Sequence, residues 1–142
     1  MVKLDKKDRK EIEKAIDQAE DLTSGEIRVH VQSRSGGDVL KDAQKTFIRL
    51  KMHRTRERNG VLIFIALKTR TFAILGDREI HARVGGDAFW NATRDIMASY
   101  FAKNEVREGI LAGVLSAGKE LGKHFPSGPG DRNELPDTVT EE

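Results

Sequence analysis

The 142-residue chain has no cysteine. That absence removes disulfide staples, thiol catalysis, thiolate zinc sites and iron–sulfur clusters. No apolar run is long enough to cross a bilayer: the longest, Gly60 to Leu67, is closed by Arg58 and Lys68. The start, Met-Val-Lys-Leu-Asp, lacks the apolar core and cleavage site of a secretory signal, so a cytoplasmic location is expected. There is no phosphate-binding Gly-rich loop, no dinucleotide fingerprint, no nucleophile elbow and no EF-hand loop. None of the four histidines (His30, His53, His81, His124) is spaced as a zinc pair, which leaves base or hydrogen-bonding roles for them.

What is present is charge. Charged residues make up 34% and hydrophobic residues 37% of the chain, the balance of a soluble domain. The last 17 residues hold five acids and one base, whereas the rest carries 24 bases against 18 acids. A mildly basic domain spanning residues 1–125 is therefore expected to carry an acidic tail, residues 126–142, too polar to order itself. High charge with only seven Asn plus Gln also suits a thermostable protein.

Periodicity supplies the elements. Asp5 can cap a helix whose Ile12, Ala15, Ile16 and Ala19 fall at helical spacing, and Ser24-Gly25 stops it. In Glu26–Gln32, Ile27, Val29 and Val31 alternate with polar residues, predicting a strand with one core face and one exposed, lightly covered or functional face. Asp38 can cap a second helix, with Leu40, Ala43, Phe47 and Leu50 inward. Val61–Leu67 is apolar throughout, predicting a strand buried on both faces, and Lys68–Arg70 turns it back into Thr71–Leu75. Arg78–Val84, a helix opened by Asp87 and a helix after Asn104 follow. The second of these has Phe89, Thr93, Ile96 and Tyr100 on one stripe with Trp90, Met97 and Phe101 beside it. In the last helix Val106, Ile110, Val114, Ala117 and Leu121 point inward, and Gly109 and Gly113 allow a neighbour to approach closely.

The order predicts an α/β fold. Two parallel strands joined through a helix, plus an antiparallel partner, form a small mixed sheet in a three-layer α/β/α sandwich. Connectivity then brings Glu26, Asn59-Gly60 and Gly76-Asp77-Arg78-Glu79 to one end of that sheet. Glu26, Asn59, Asp77 and Glu79 are a hard oxygen set, suited to calcium or, less well, magnesium, and not to zinc. The competing explanation is helix capping with ion pairs to Arg56, Arg58 and Arg78. Arg49, Lys51, Arg54, Arg56 and Arg58, opposed nearby only by Glu57, can hold phosphate or simply be solvated. No aromatic residue interleaves them, which argues against a nucleic-acid partner.

Ser24-Gly25-Glu26-Ile27-Arg28-Val29, Asn59-Gly60-Val61-Leu62-Ile63, Gly76-Asp77, Phe101 and Gly109…Gly113 together resemble the TPM domain family, over about residues 6 to 125. The family takes its name from a thylakoid lumen protein, a photosystem II repair protein and a nematode receptor auxiliary protein. The resemblance implies the same sandwich, calcium binding and, from the plant lumenal branch, a weak acid phosphatase activity. Many members are exported or membrane-tethered; this chain is similar to the shorter soluble bacterial type. Two functions are therefore expected. The first is a monomeric calcium-binding or protein-interaction module. The second is a metal-assisted phosphatase acting on a phosphorylated small molecule, with Asp77 as metal ligand or nucleophile and Arg58 and Arg78 on the phosphate. A basic surface that binds an anion or nucleic acid is the third.

Overall fold

Val61–Ala66 (β2) is buried at every position. A computed structural model, which describes residues 4–128 and 139–141, places it inside a four-stranded sheet of order β3-β2-β1-β4. Ile27–Gln32 (β1) runs parallel to it with Ile27 opposite Val61, and Thr71–Gly76 (β3) runs antiparallel with Gly76 opposite Val61. The fourth strand is Thr140–Glu141 (β4), parallel to β1 with Thr140 opposite His30.

The strand period of two splits the apolar residues between two layers. Ile27, Val29, Val31, Ile63 and Ile65 pack with Lys6–Glu20 (α1) and Val106–Gly122 (α5), where Ile12, Ile16, Ile110, Val114 and Leu121 are fully buried. Leu62, Phe64 and Ala66 pack on the other side with Ala43 and Phe47 of Val39–Arg49 (α2) and with Met52. The three-layer expectation holds. No helix among the described residues is long and apolar enough to cross a membrane.

The helix ends follow their chemistry. Asp5 and Asp8 form a reciprocal capping box on α1. The Asp38 carboxylate accepts from the Leu40 and Lys41 N–H groups at the start of α2. Asp38→Ala is expected to cost about 1 kcal/mol, read as a lower midpoint in thermal unfolding followed by circular dichroism. Arg78–Val84 (α3) ends at Gly85, whose φ of 83° is left-handed. The following helix opens as a 3-10 turn, Asp87–Trp90, before Asn91–Phe101 (α4).

Several details differ from the sequence expectation. The first helix ends at Glu20, not at Ser24-Gly25. The inward residues of α2 are Ala43, Thr46 and Phe47, while Leu40 is 40% exposed. Trp90, Thr93 and Met97 are buried around α4, and Ile96, about 100° around the helix from Met97, is 40% exposed. The polar face of β1 is also buried: Arg28 and His30 are 9% and 1% exposed. His30 is held by Thr140 Oγ1 and Gln32 Oε1 at 2.8 and 3.0 Å and stacks on Phe64. Burial lowers the pKa of the Arg28 guanidinium. The tail expected to be disordered lies mostly outside the described residues, at 129–138 and 142. Pro126 instead bridges to Thr23, and Thr140–Glu141 pairs as β4, because the edge of β1 offers free ladder groups.

Candidate functional site

The end of the sheet where β1 and β2 start and β3 finishes is tied together through the backbone. The Val61 N–H donates to the Glu26 carbonyl at 2.7 Å, Asp77 N–H to Gly60 at 2.9 Å and Glu79 N–H to Arg58 at 3.1 Å. Connectivity thus converges the predicted segments as expected. Their side chains divide.

Asp77, 6% exposed, is the N-cap of α3: its Oδ1 accepts from the Arg78 N–H at 2.8 Å. Arg58 clasps the same carboxylate in a bidentate pair, Nε to Oδ2 at 2.7 Å and a terminal nitrogen to Oδ1 at 2.9 Å. The hydrogen bond to Asp77 is the main reason the Arg58 guanidinium pKa is raised. To reach it, Arg58 takes a left-handed φ of 50°. Such a conformation in a non-glycine residue persists only where surrounding contacts enforce it.

Asn59 is 1% exposed and turns the other way. Its amide donates to Ser24 Oγ at 3.2 Å and Glu57 Oε2 at 3.0 Å, and the Ser24 hydroxyl donates to the same Glu57 oxygen at 2.6 Å. Glu26 is 3% exposed. Among the described residues no three His, Cys, Asp or Glu side chains gather as a metal cluster.

A pocket of about 410 Å³ opens at this strand end. Arg58, Arg78 and Glu79 of the predicted set line it; Glu26, Asn59 and Asp77 are not among its lining residues. The remaining lining includes Arg56, Glu57, Arg83 and Ser24. Arg83 reaches it from α3, crossing 4.4 Å above the Phe125 ring and donating to the His124 carbonyl at 2.6 Å. Sequence reasoning missed Arg83 and Ser24. Both reach the pocket through the contact of Thr23-Ser24 with Phe125-Pro126, where Ser24 N–H donates to the Phe125 carbonyl at 2.9 Å. That pairing joins segments far apart in the chain and has no local signature.

Four guanidinium groups line the pocket beside two carboxylates, and Asp77 pairs with one of the four; the planar guanidinium fork matches phosphate and carboxylate geometry. The partly buried Arg58–Asp77 pair fixes one of the four in place.

Comparison with known proteins agrees with this fold. A family model for the TPM domain matches residues 3–120. The NMR structure of the BA42 protein from the psychrophilic bacterium Bizionia argentinensis is 40% identical, with a TM-score of 0.91 over 98% of this chain and 95% of that one. The N-terminal domain of the cg2496 protein from Corynebacterium glutamicum shares the fold at 16% identity, with a TM-score of 0.64 over 99% of this chain and 82% of its own. No curated protein matches the sequence.

Proposed function

The chain belongs to the TPM domain family, and on that premise we propose that it is a binding module, not an enzyme, which docks an anionic group of its partner in the arginine-lined pocket. The observation that carries this reading is the convergence of Arg56, Arg58, Arg78 and Arg83 on one pocket whose described lining also holds Glu57 and Glu79, with Asp77 paired to Arg58. Charge-assisted, bidentate contacts of that kind are the strong ones in recognition. The reading needs no nucleophile. A phosphatase built on Asp77 has to free a carboxylate that already accepts three hydrogen bonds, two of them from Arg58.

The test uses inorganic pyrophosphate and phenyl phosphate followed by amide chemical shifts. Saturable shifts are expected around Arg56, Arg78 and Arg83, weakening as salt is raised. The double variant Arg56→Gln/Arg78→Gln is expected to bind roughly a hundredfold more weakly, the loss of two charge-assisted contacts at about tenfold each. Absence of shifts at this pocket overturns the reading. Release of phenol that Asp77→Asn abolishes replaces it with the phosphatase.

A second reading, calcium binding, is favoured by the oxygen donors on the same pocket wall, Ser24, Glu57 and Glu79. Two carboxylates and a hydroxyl form a partial set that water must complete, which suits calcium better than the more demanding magnesium and suits weak affinity. Asp77 joins such a set only by releasing Arg58. Under this reading millimolar calcium raises the melting temperature and Glu57→Gln cancels the rise; equal melting with and without calcium removes it.

A further inference from the structure

At the opposite end of the sheet, β2 and β3 meet in the Lys68–Arg70 turn. A half-open cleft of about 670 Å³ lies there, larger than the arginine pocket. Its volume is that of a small-molecule site. Leu67, Phe72, Phe101 and Val106 all pack against the main core yet remain only partly buried, and each faces this cleft. Phe72 and Phe101 meet edge to face at 5.2 Å, so their rings form a corner. Phe101 is held there because Gly109 leaves room for its ring: a Cβ on Gly109 would sit 2.5 Å from Phe101 Cε1. The apolar wall is thus shaped by packing rather than left by chance.

The rim has the opposite character. Arg34, from the loop after β1, and Lys68 and Arg70, from the β2–β3 turn, line the cleft, and all three are exposed. No acidic residue is among its described lining residues. An apolar floor beside three cations and no anion is complementary to one kind of small molecule. A neutral apolar compound leaves the cations unmatched, and a hydrophilic anion leaves the rings wet.

We propose that this cleft binds a small amphiphilic carboxylate, with its chain or ring against Phe72, Phe101 and Val106 and its carboxylate on Arg34, Lys68 and Arg70. The ligand is a free molecule that enters the cleft singly. The two sites stand at opposite ends of a six-residue strand, roughly 20 Å apart, so this site is separate from the arginine pocket and does not depend on it.

The test titrates the labelled protein with octanoate, octanol and octylammonium and follows methyl and amide shifts. Octanoate is expected to give saturable shifts at Phe72, Phe101 and Val106. Octanol is expected to bind roughly tenfold more weakly, the worth of a charge-assisted contact, and octylammonium more weakly still. Changing Arg34, Lys68 and Arg70 together to Gln should bring octanoate down to the level of octanol without changing the melting temperature, because all three are exposed. Equal response to all three probes, or no shift in the cleft, overturns the proposal. So does binding to phosphatidylglycerol vesicles without binding of monomeric octanoate, which makes the cleft a lipid-surface contact. Shifts at the cleft that depend on protein concentration instead of octanoate make it a contact between copies.

Discussion

Gly118→Ala is expected to lower stability by about 2 kcal/mol, where the same change in an open helix raises it by about 1. Gly118 lies in α5 where that helix crosses α1. A Cβ there would sit 2.7 Å from the Ala19 Cβ, 2.9 Å from the Ala19 carbonyl oxygen and 3.0 Å from the Ala19 Cα. These are backbone or backbone-anchored atoms, so no rotamer change relieves the clash and the two helices must move apart. Ile12, Ile16, Val114, Ala117 and Leu121, all buried at this interface, then lose contact. Gly118→Leu, with more to accommodate, should cost more still. Gly113 is the control. The three atoms nearest a Cβ there all belong to the Met97 side chain, which has rotatable bonds where the Ala19 backbone has none, so Gly113→Ala should cost less than Gly118→Ala. At roughly 4 °C per kcal/mol, calorimetry should show Gly118→Ala melting about 8 °C lower. A midpoint that rises instead means that α1 and α5 are not in close contact at this crossing.

Trp90→Ala is expected to have the largest effect of any single truncation, about 4 kcal/mol. Trp90 is 2% exposed and is the chain's one tryptophan. It closes the 3-10 turn ahead of α4 and packs edge to face with Phe89 at 4.7 Å. Its removal opens a cavity in the larger core cluster. Urea unfolding followed by circular dichroism measures the loss; the slope should stay the same and the midpoint fall. Trp90→Phe, which keeps an aromatic ring, should recover more than half of it. If Trp90→Ala unfolds at nearly the wild-type midpoint, the 3-10 turn is not part of the cooperative unit.

The framework was readable because it rests on local periodicity. Val61–Leu67 has no polar residue to place on a surface, so it could only be a central strand, and the alternation of Ile27, Val29 and Val31 fixed its neighbour's inward face. The outward face of that neighbour was ambiguous, since Arg28 and His30 read equally well as solvated, lightly covered or functional; both proved buried. β4 was unreadable. Thr140-Glu141 has no core pattern of its own and pairs only because a strand edge is there to receive it. At the strand end, connectivity brought Glu26, Asn59, Asp77 and Glu79 into one region, but it could not say which side chains point together. That was decided by the left-handed turn at Arg58, which swings a guanidinium onto Asp77, and by a hydrogen-bonded triad of Ser24, Glu57 and Asn59. Neither follows from spacing. The oxygen donors were therefore legible as a list and not as an arrangement.

The way β4 is fastened also couples the first helix to a segment far away in sequence. Glu141 pairs with Arg9 at 3.0 Å, and the Val139 N–H donates to Glu13 at 3.2 Å, so β4 is fastened to α1 as well as to the edge of β1. The Arg9–Glu141 pair closes a loop of 132 residues, so whatever detaches β4 bares the edge of β1 and this flank of α1 together.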